Sequence, residues 1–367
     1  MRRGISLRLG VLFVVLALFA VACDRGGDEG ENGGTAGGNQ QAGGNLYDEI
    51  VENDVLRCGV NNTVPGFGFD EGGGEIDGFD IDFCRAFAAA ILGDAEKHEL
   101  VAIDADNRFN ALRAGEYDVL VRNTTATSSR DGAEGVTFAH PNFYDGQAMM
   151  VRQGEFSSIE EMDGTNVCVT SGTTTELNLA DYAQQLGIDI TPVTFAENPQ
   201  LQEAFIAGQC DGWTSDRSQL AGIRSTWPQN EGGPDSLVIL EEIMSKEPLA
   251  PAVLDGQEDL AEAINWVVNG MILAEELGVS SRNVDRQSNN PDNPQIASLL
   301  GVAFEGTESA DNGLALPNDF MQNVIRQVGN YGEVFDRHIG PDTDLGLDRG
   351  LNALWIDGGI QYALPIR

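Results

Sequence analysis

From residue 55 onward, short apolar runs alternate with segments in which apolar side chains recur at helical spacing. Strands alternating with helices in this way predict a mostly parallel sheet flanked by helices. The first strand is 55–60, VLRCGV. The EGGGE run at 71–75 marks a hairpin tip, since it lies too far from a helix start to be a nucleotide loop. Ile81, Cys84, Phe87, Ala88 and Ile91 then keep helical period behind Asp80, which reads as the N-cap, and Gly93 ends that helix. A strand at 100–103 and a short helix at 108–114 follow. Residues 117–121 form the next strand, buried through Val119, Leu120 and Val121.

A second unit repeats this logic after an extended segment, 142–151. Residues 166–170 read as a strand, Ser171-Gly172 as a turn, and 173–182 as a helix whose Thr173 and Glu176 have capping-box spacing. A strand at 190–195, a helix at 199–207 and a strand at 210–214 come next, the last leading through Ser215-Asp216 into a helix at 217–223. Strands at 236–243 and 250–253 return the chain to the first unit, and 260–277 is a long amphipathic helix. The stretch 280–317, rich in Asn, Asp, Pro and Gly, shows no period, whereas 319–329 and 331–337 read as helices. The tail from residue 350 is expected to pack through Leu351, Leu354, Trp355 and Ile360.

Length and composition narrow the class. At 367 residues there is chain for two domains of ordinary size, and 41% hydrophobic with 22% charged residues fits a globular protein. The 58 acidic against 21 basic residues, net −37, argue against nucleic acid or an anionic membrane surface as partner. Only Lys97 and Lys246 are lysines, so almost every cation is Arg. Arg2, Arg3 and Arg8 precede an apolar run too short to span a bilayer comfortably, which reads as a signal peptide over 1–22. Cys23 follows Ala20-Val21-Ala22 and is expected to carry a lipid anchor, with a flexible Gly-rich tether to residue 45. The protein is therefore expected to be exported, periplasmic or at the cell surface. Cys58, Cys84, Cys168 and Cys210 remain, and in an exported protein an even number is expected to pair. Four cysteines allow three connectivities; Cys58–Cys84 and Cys168–Cys210 would each stay within one proposed domain. Their spacing does not suit structural zinc, and no acidic loop has ordered calcium-ligand spacing, so no metal or cofactor is expected.

The candidate chemistry lies where strands end. After Val121 the chain passes through Asn123, Thr124 and Thr125 to a helix start at Thr127, Ser128 and Ser129, with Arg130 just behind. Unpaired N–H groups and the helix dipole make such a place a seat for an anion, and the Arg130 fork fits a carboxylate. The helix beginning at Thr173 and Thr174 presents hydroxyls and backbone donors in the same way. Asp216 closes a third strand and reads either as a helix N-cap or as a counter-charge for a cation.

Four stretches together, GFDIDFCRAFA (78–88), DVLVRNTTATSSRD (118–131), VCVTSGTTTELNLADY (167–182) and CDGWTSDRSQL (210–220), resemble the extracytoplasmic solute-binding proteins of amino-acid ABC transporters. GNYGEVFDR (329–337) and RGLNALWIDGGIQYALPIR (349–367) resemble the general L-amino-acid-binding branch in particular. The resemblance, covering nearly everything after residue 46, implies the two-lobed type II periplasmic-binding-protein fold: α/β, each lobe a mostly parallel sheet flanked by helices, joined by hinge strands. It implies lobe 1 from 46–147 and 246–367, the latter with a C-terminal extension, and lobe 2 from 148–245. It also implies that Arg130 clamps the α-carboxylate of a free L-amino acid with help from Asn123 and Thr125. Thr173 and Thr174 would hold the same carboxylate from the other lobe, and Asp216 would take the α-ammonium. The cysteine pairs preferred above look like that branch's pairs.

Some positions depart from narrow-specificity relatives. Val64 and Ala105 stand where those relatives place aromatic walls, and Asn61 where a relative selective for cationic side chains carries an acid. These departures favour a broad binder, with Phe67, Phe69, Phe143 and Tyr144 as candidates for either pocket wall or core. The lobes would close on the ligand about strands near 144–150 and 243–252 and then dock on a membrane permease, the protein acting as a monomer. An enzyme on the same fold, a small-acid lyase such as cyclohexadienyl dehydratase, would need a positioned acid or base. His98, His140 and His338 lie outside the proposed pocket loops, and Glu176 reads as a cap. A sensory amino-acid-binding domain is the remaining alternative.

Overall fold

The computed structural model describes residues 45–306, 308 and 311–367, so the expected signal segment, Cys23 and most of the tether lie outside the described residues. Two five-stranded sheets organise the described chain. In the first, the order is His98–Ala102, Leu56–Val60, Val119–Leu120, Ala252–Leu254, Val136–Phe138. In the second it is Ile190–Phe195, Thr165–Thr170, Gly212–Asp216, Gln147–Arg152, Leu237–Ile239. The first three strands of each order run parallel, and the fourth is antiparallel to both neighbours. That fourth strand is in each case the one the chain forms directly after crossing from the other sheet. Beside the crossings, Phe143–Asp145 and Glu247–Leu249 pair antiparallel into a two-stranded ribbon, the second strand of which the sequence pattern did not predict.

Burial follows the strand period of two. Val119 and Val121 face the largest core while Leu120 faces a smaller one on the other side of the first sheet. Ala148 and Met150 likewise face one core of the second sheet, and Met149 and Val151 the other. The Glu258–Glu276 helix lays Leu260, Ile264, Val267, Val268, Met271 and Ile272 against the largest core, together with helices Phe79–Leu92, Phe320–Gln327 and Tyr331–His338. Each such side chain contributes roughly 1.5–3 kcal/mol on full burial. The unreadable stretch holds two short helices, Val284–Asn289 and Pro294–Leu299.

Asp80 is not the N-cap of the Phe79–Leu92 helix; Gly78 is. Gly78 has φ 148°, and a Cβ there would lie 2.4 Å from the carbonyl of Phe67, so glycine is required. Asp80 sits inside the first turn with its carboxylate turned to the Asn123 N–H, 2.7 Å away. The tail also departs from expectation. Leu354 is buried, but Leu351, Trp355 and Ile360 are 54%, 49% and 46% exposed. Amides anchor it instead. Asn352 Oδ1 accepts from the Tyr144 N–H at 2.7 Å, and its Nδ2 donates to the Tyr144 carbonyl at 3.0 Å. Gln361 Nε2 donates to the Tyr331 hydroxyl at 3.1 Å. Apolar period located the segment but not the polar atoms that pin it.

Cys58 is bonded to Cys84 and Cys168 to Cys210, the connectivity expected. The first ties the Leu56–Val60 strand to the Phe79–Leu92 helix, and the second ties the Thr165–Thr170 strand to the connection just before Gly212–Asp216. Loop-closure entropy makes the Cys168–Cys210 bridge, with a sequence separation of 42, worth roughly 4 kcal/mol and the Cys58–Cys84 bridge, at 26, slightly less. Replacing each pair by serines is expected to lower stability in that order, measured by urea denaturation.

Candidate functional site

The C-terminal ends of the parallel strands of both sheets converge on one cavity. This is where open α/β sheets place ligands, because loops and helix N-termini diverge there. Asn123, Thr125, Arg130, Thr173, Thr174 and Asp216 all line it. Ala105 and Asn61 line it too, but Val64, Phe67, Phe69, Phe143 and Tyr144 do not. Phe67 and Phe143 belong to the core, packed edge to face at 5.2 Å, and Phe69 lines a separate groove.

The first wall is set by backbone geometry. Asn123 adopts φ 31°, a left-handed conformation that Asn tolerates, and the buried Asp80 carboxylate holds its N–H. Burial pushes the Asp80 carboxyl up to about 6, partly opposed by the bonds it accepts from Asn123 and Asn142. Thr127 caps the Ser128–Glu134 helix by accepting from the Arg130 N–H at 3.2 Å. Arg130 is 9% exposed, and its guanidinium donates to the Thr125 carbonyl at 2.8 Å. Burial lowers its pKa, while Glu247 and then Asp216 favour its charged form.

The second wall is the start of the Thr174–Leu186 helix. Thr173 caps it, accepting from the Glu176 N–H at 3.1 Å. Glu176 completes only half of the expected capping box, for it accepts from the Gly172 N–H at 2.9 Å rather than from Thr173. Thr174 and Thr175, in the first turn, present N–H groups that have no partner within the helix. The hydroxyls of Thr125 and Thr174 both donate to one oxygen of Glu247, at 2.6 and 2.8 Å, and lie 3.3 Å apart across the two lobes. Glu247 is 1% exposed on the hinge ribbon and also accepts from Asn178 at 2.9 Å and from Ser245. With their protons committed to Glu247, these two hydroxyls offer lone pairs to the cavity, and the donors there are Arg130 and backbone N–H groups.

Asp216 occupies the N-cap position of the Arg217–Ser225 helix yet makes no capping hydrogen bond. The residue is 6% exposed, and Oδ1 has no partner among the described residues. Burial first, then the neighbouring Asp145 and Glu247 carboxylates, hold its pKa well above the ordinary range against the pull of Arg130 and Arg108. A buried carboxylate left unpaired is costly unless something cationic meets it.

The two lobes also touch directly around this cavity. Ser171 donates to Asp106 at 2.7 Å, Asn123 to Gln219 at 3.1 Å, and the Ala105 N–H to Glu197 at 3.0 Å. Glu197 pairs with the buried Arg122 at 3.1 Å. A Cβ on Gly172, at φ 68°, would lie 2.1 Å from Asp106, so the closed contact needs glycine there. Arg108, Arg122, Glu197, Asn198, Ser215 and Gln219 line the site without having been singled out from sequence. Ser215 lies near the end of its strand and the others stand just past a strand end or at a helix start, the signal that identified Arg130 and Asp216. None of His98, His140 and His338 lines the cavity.

Comparison with known proteins fits this architecture. Residues 56–281 match the model of the bacterial extracellular solute-binding proteins, family 3. The chain belongs to that family. Among family members, it is 45% identical over 320 residues to the general L-amino acid-binding periplasmic protein AapJ of Rhizobium johnstonii, covering 87% of this chain and 92% of that protein. It is 43% identical over 321 residues to the glutamate/glutamine/aspartate/asparagine-binding protein BztA of Rhodobacter capsulatus, covering 87% and 93%. A solved ABC transporter periplasmic binding protein from Brucella ovis with glutathione bound superposes at a TM-score of 0.83, with 40% identity over 89% of this chain and 100% of that one. The two-lobed fold expected of the solute-binding family is thus present. No helix of the described residues is long and apolar enough to cross a membrane.

Proposed function

We propose that this protein is the solute-binding component of an amino-acid ABC importer, capturing free L-amino acids with broad specificity between its lobes and delivering them to a membrane permease. One observation carries the reading: a buried Arg130 and a buried Asp216, whose Oδ1 has no partner among the described residues, line the same cavity, one from each lobe. An α-amino acid carries both complementary charges on one carbon. In this reading Arg130 and the backbone around Asn123 and Thr125 hold the α-carboxylate from one lobe, and the helix start at Thr173 and Thr174 holds it from the other. Asp216 takes the ammonium. Lobe 1 comprises 46–147 and 246–367 and lobe 2 comprises 148–245, turning about the ribbon of Phe143–Asp145 and Glu247–Leu249. The protein works as a monomer tethered by a lipid on Cys23 and binds its ligand without turning it over.

Charge-assisted hydrogen bonds contribute roughly 1.5–3 kcal/mol each, and micromolar affinity needs about 8 kcal/mol. Three or four contacts to the common amino-acid end therefore nearly suffice, which is why many side chains are tolerated. Calorimetry of purified protein against the twenty L-amino acids is expected to give micromolar or tighter binding for several, and none for D-enantiomers at equal concentration. Absence of binding to every L-amino acid would reject the reading.

A further inference from the structure

Arg108 lines the cavity with a guanidinium nitrogen left without a partner among the described residues. It opens the Arg108–Arg113 helix just beyond the His98–Ala102 strand and is 3% exposed. Its Nη2 donates to the Gly172 carbonyl at 3.2 Å, while Nε is buried with no partner among the described residues. Among the described residues no carboxylate forms an ion pair with it. Arg122, equally enclosed, is by contrast paired with Glu197 and donates to the Ile103 carbonyl at 2.6 Å. Arg130 forms no ion pair among the described residues either, but the Glu247 and Asp216 charges favour its charged form. Burial depresses the Arg108 pKa, and the neighbouring Arg130 and Arg122 charges depress it further. The guanidinium carbons of Arg108 and Arg130 both border the ring of Phe109, at 5.0 and 5.6 Å from its centroid, so two anion receptors flank one side chain.

The lining contains three guanidiniums against the two carboxylates of Glu197 and Asp216. A zwitterion with a neutral side chain leaves that balance unchanged, with Arg108 still lacking an anion. A second carboxylate on the ligand neutralises it and satisfies the free Nε. Among the described residues Ala105 is the sole apolar one in the lining, so a hydrocarbon side chain gains little there. We propose that Arg108 is a specificity-determining residue that receives a side-chain carboxylate, making acidic L-amino acids the preferred ligands within the broad range. This rests on the amino-acid-binding reading above.

The near-isosteric pair L-glutamate and L-glutamine tests it by calorimetry on the exported full-length chain and on Arg108→Met. Wild type is expected to bind glutamate at least 10-fold more tightly than glutamine. Arg108→Met is expected to lose about 100-fold for glutamate and less than 5-fold for glutamine, and Arg108→Lys to recover part of the glutamate loss. Equal wild-type affinities would overturn the inference even if the variants fail to fold. So would equal losses for both ligands, which would make Arg108 a partner of the α-carboxylate. Failure of wild type to bind either ligand or any other L-amino acid would remove the underlying reading as well, whereas glutamine binding without a glutamate preference removes this inference alone.

Discussion

Asp216→Asn is expected to remove most amino-acid affinity while making the unliganded protein more stable at neutral pH. The substitution keeps shape and deletes a charge. Breaking a buried, hydrogen-bonded charge pair costs roughly 3–5 kcal/mol, so Kd should rise by a few hundredfold to a few thousandfold. Without ligand the same carboxylate is a burden, because burial and the adjacent Asp145 and Glu247 hold its pKa well above the ordinary range. A raised folded pKa means the contribution to stability is fully present below the unfolded value near 3.8 and is lost as pH rises through the folded value. At pH 7.5 the wild type carries that cost and the Asn variant does not. Its Tm should therefore exceed that of wild type, with the gap closing as the pH falls toward 4. Binding by wild type should also release protons wherever Asp216 is still protonated, which calorimetry in buffers of different ionisation enthalpy detects. Retention of affinity within a factor of five, or a lower Tm at pH 7.5, would count against Asp216 as the ammonium partner.

Arg130→Ala is expected to produce a loss of similar size from the other end of the ligand. Arg130 is buried at a desolvation cost that opposes its charge, yet in the fold its Nη1 bonds the Thr125 carbonyl. It thus supplies both a charge and the support of the loop that faces Thr174. Alanine removes the two together, for a loss of roughly 3–5 kcal/mol in binding. Arg130→Lys keeps charge but not the planar fork and should recover only part of it. The decisive measurement is Kd for one well-bound amino acid in both variants, beside circular dichroism to verify folding. Full affinity in Arg130→Ala would mean that the carboxylate is held elsewhere.

Much of the scaffold was legible because its causes are local. Apolar runs at 55–60, 166–170 and 190–195 became central or edge strands, and Thr127 and Thr173 capped helices where hydroxyls preceded a helical period. Asp80 misled because an acid at a helix start has the same local signature whether it caps the helix or serves a distant N–H. The 350–367 tail misled because exposed Trp355 and Ile360 look like core in a linear pattern, while its anchors are the amides Asn352 and Gln361.

What the chain alone determined was the list of strand ends and helix starts, and with it the positions of Arg130, Thr173, Thr174 and Asp216, since backbone propensity and capping act over a few residues. Which charges find partners was decided only in three dimensions. Glu197 neutralises Arg122 from 75 residues away, Glu247 captures Thr125 and Thr174 from the hinge, and the Arg108 guanidinium donates to a single carbonyl. Electrostatic balance in a closed cavity depends on distance and burial, and neither is written in the order of residues along one lobe.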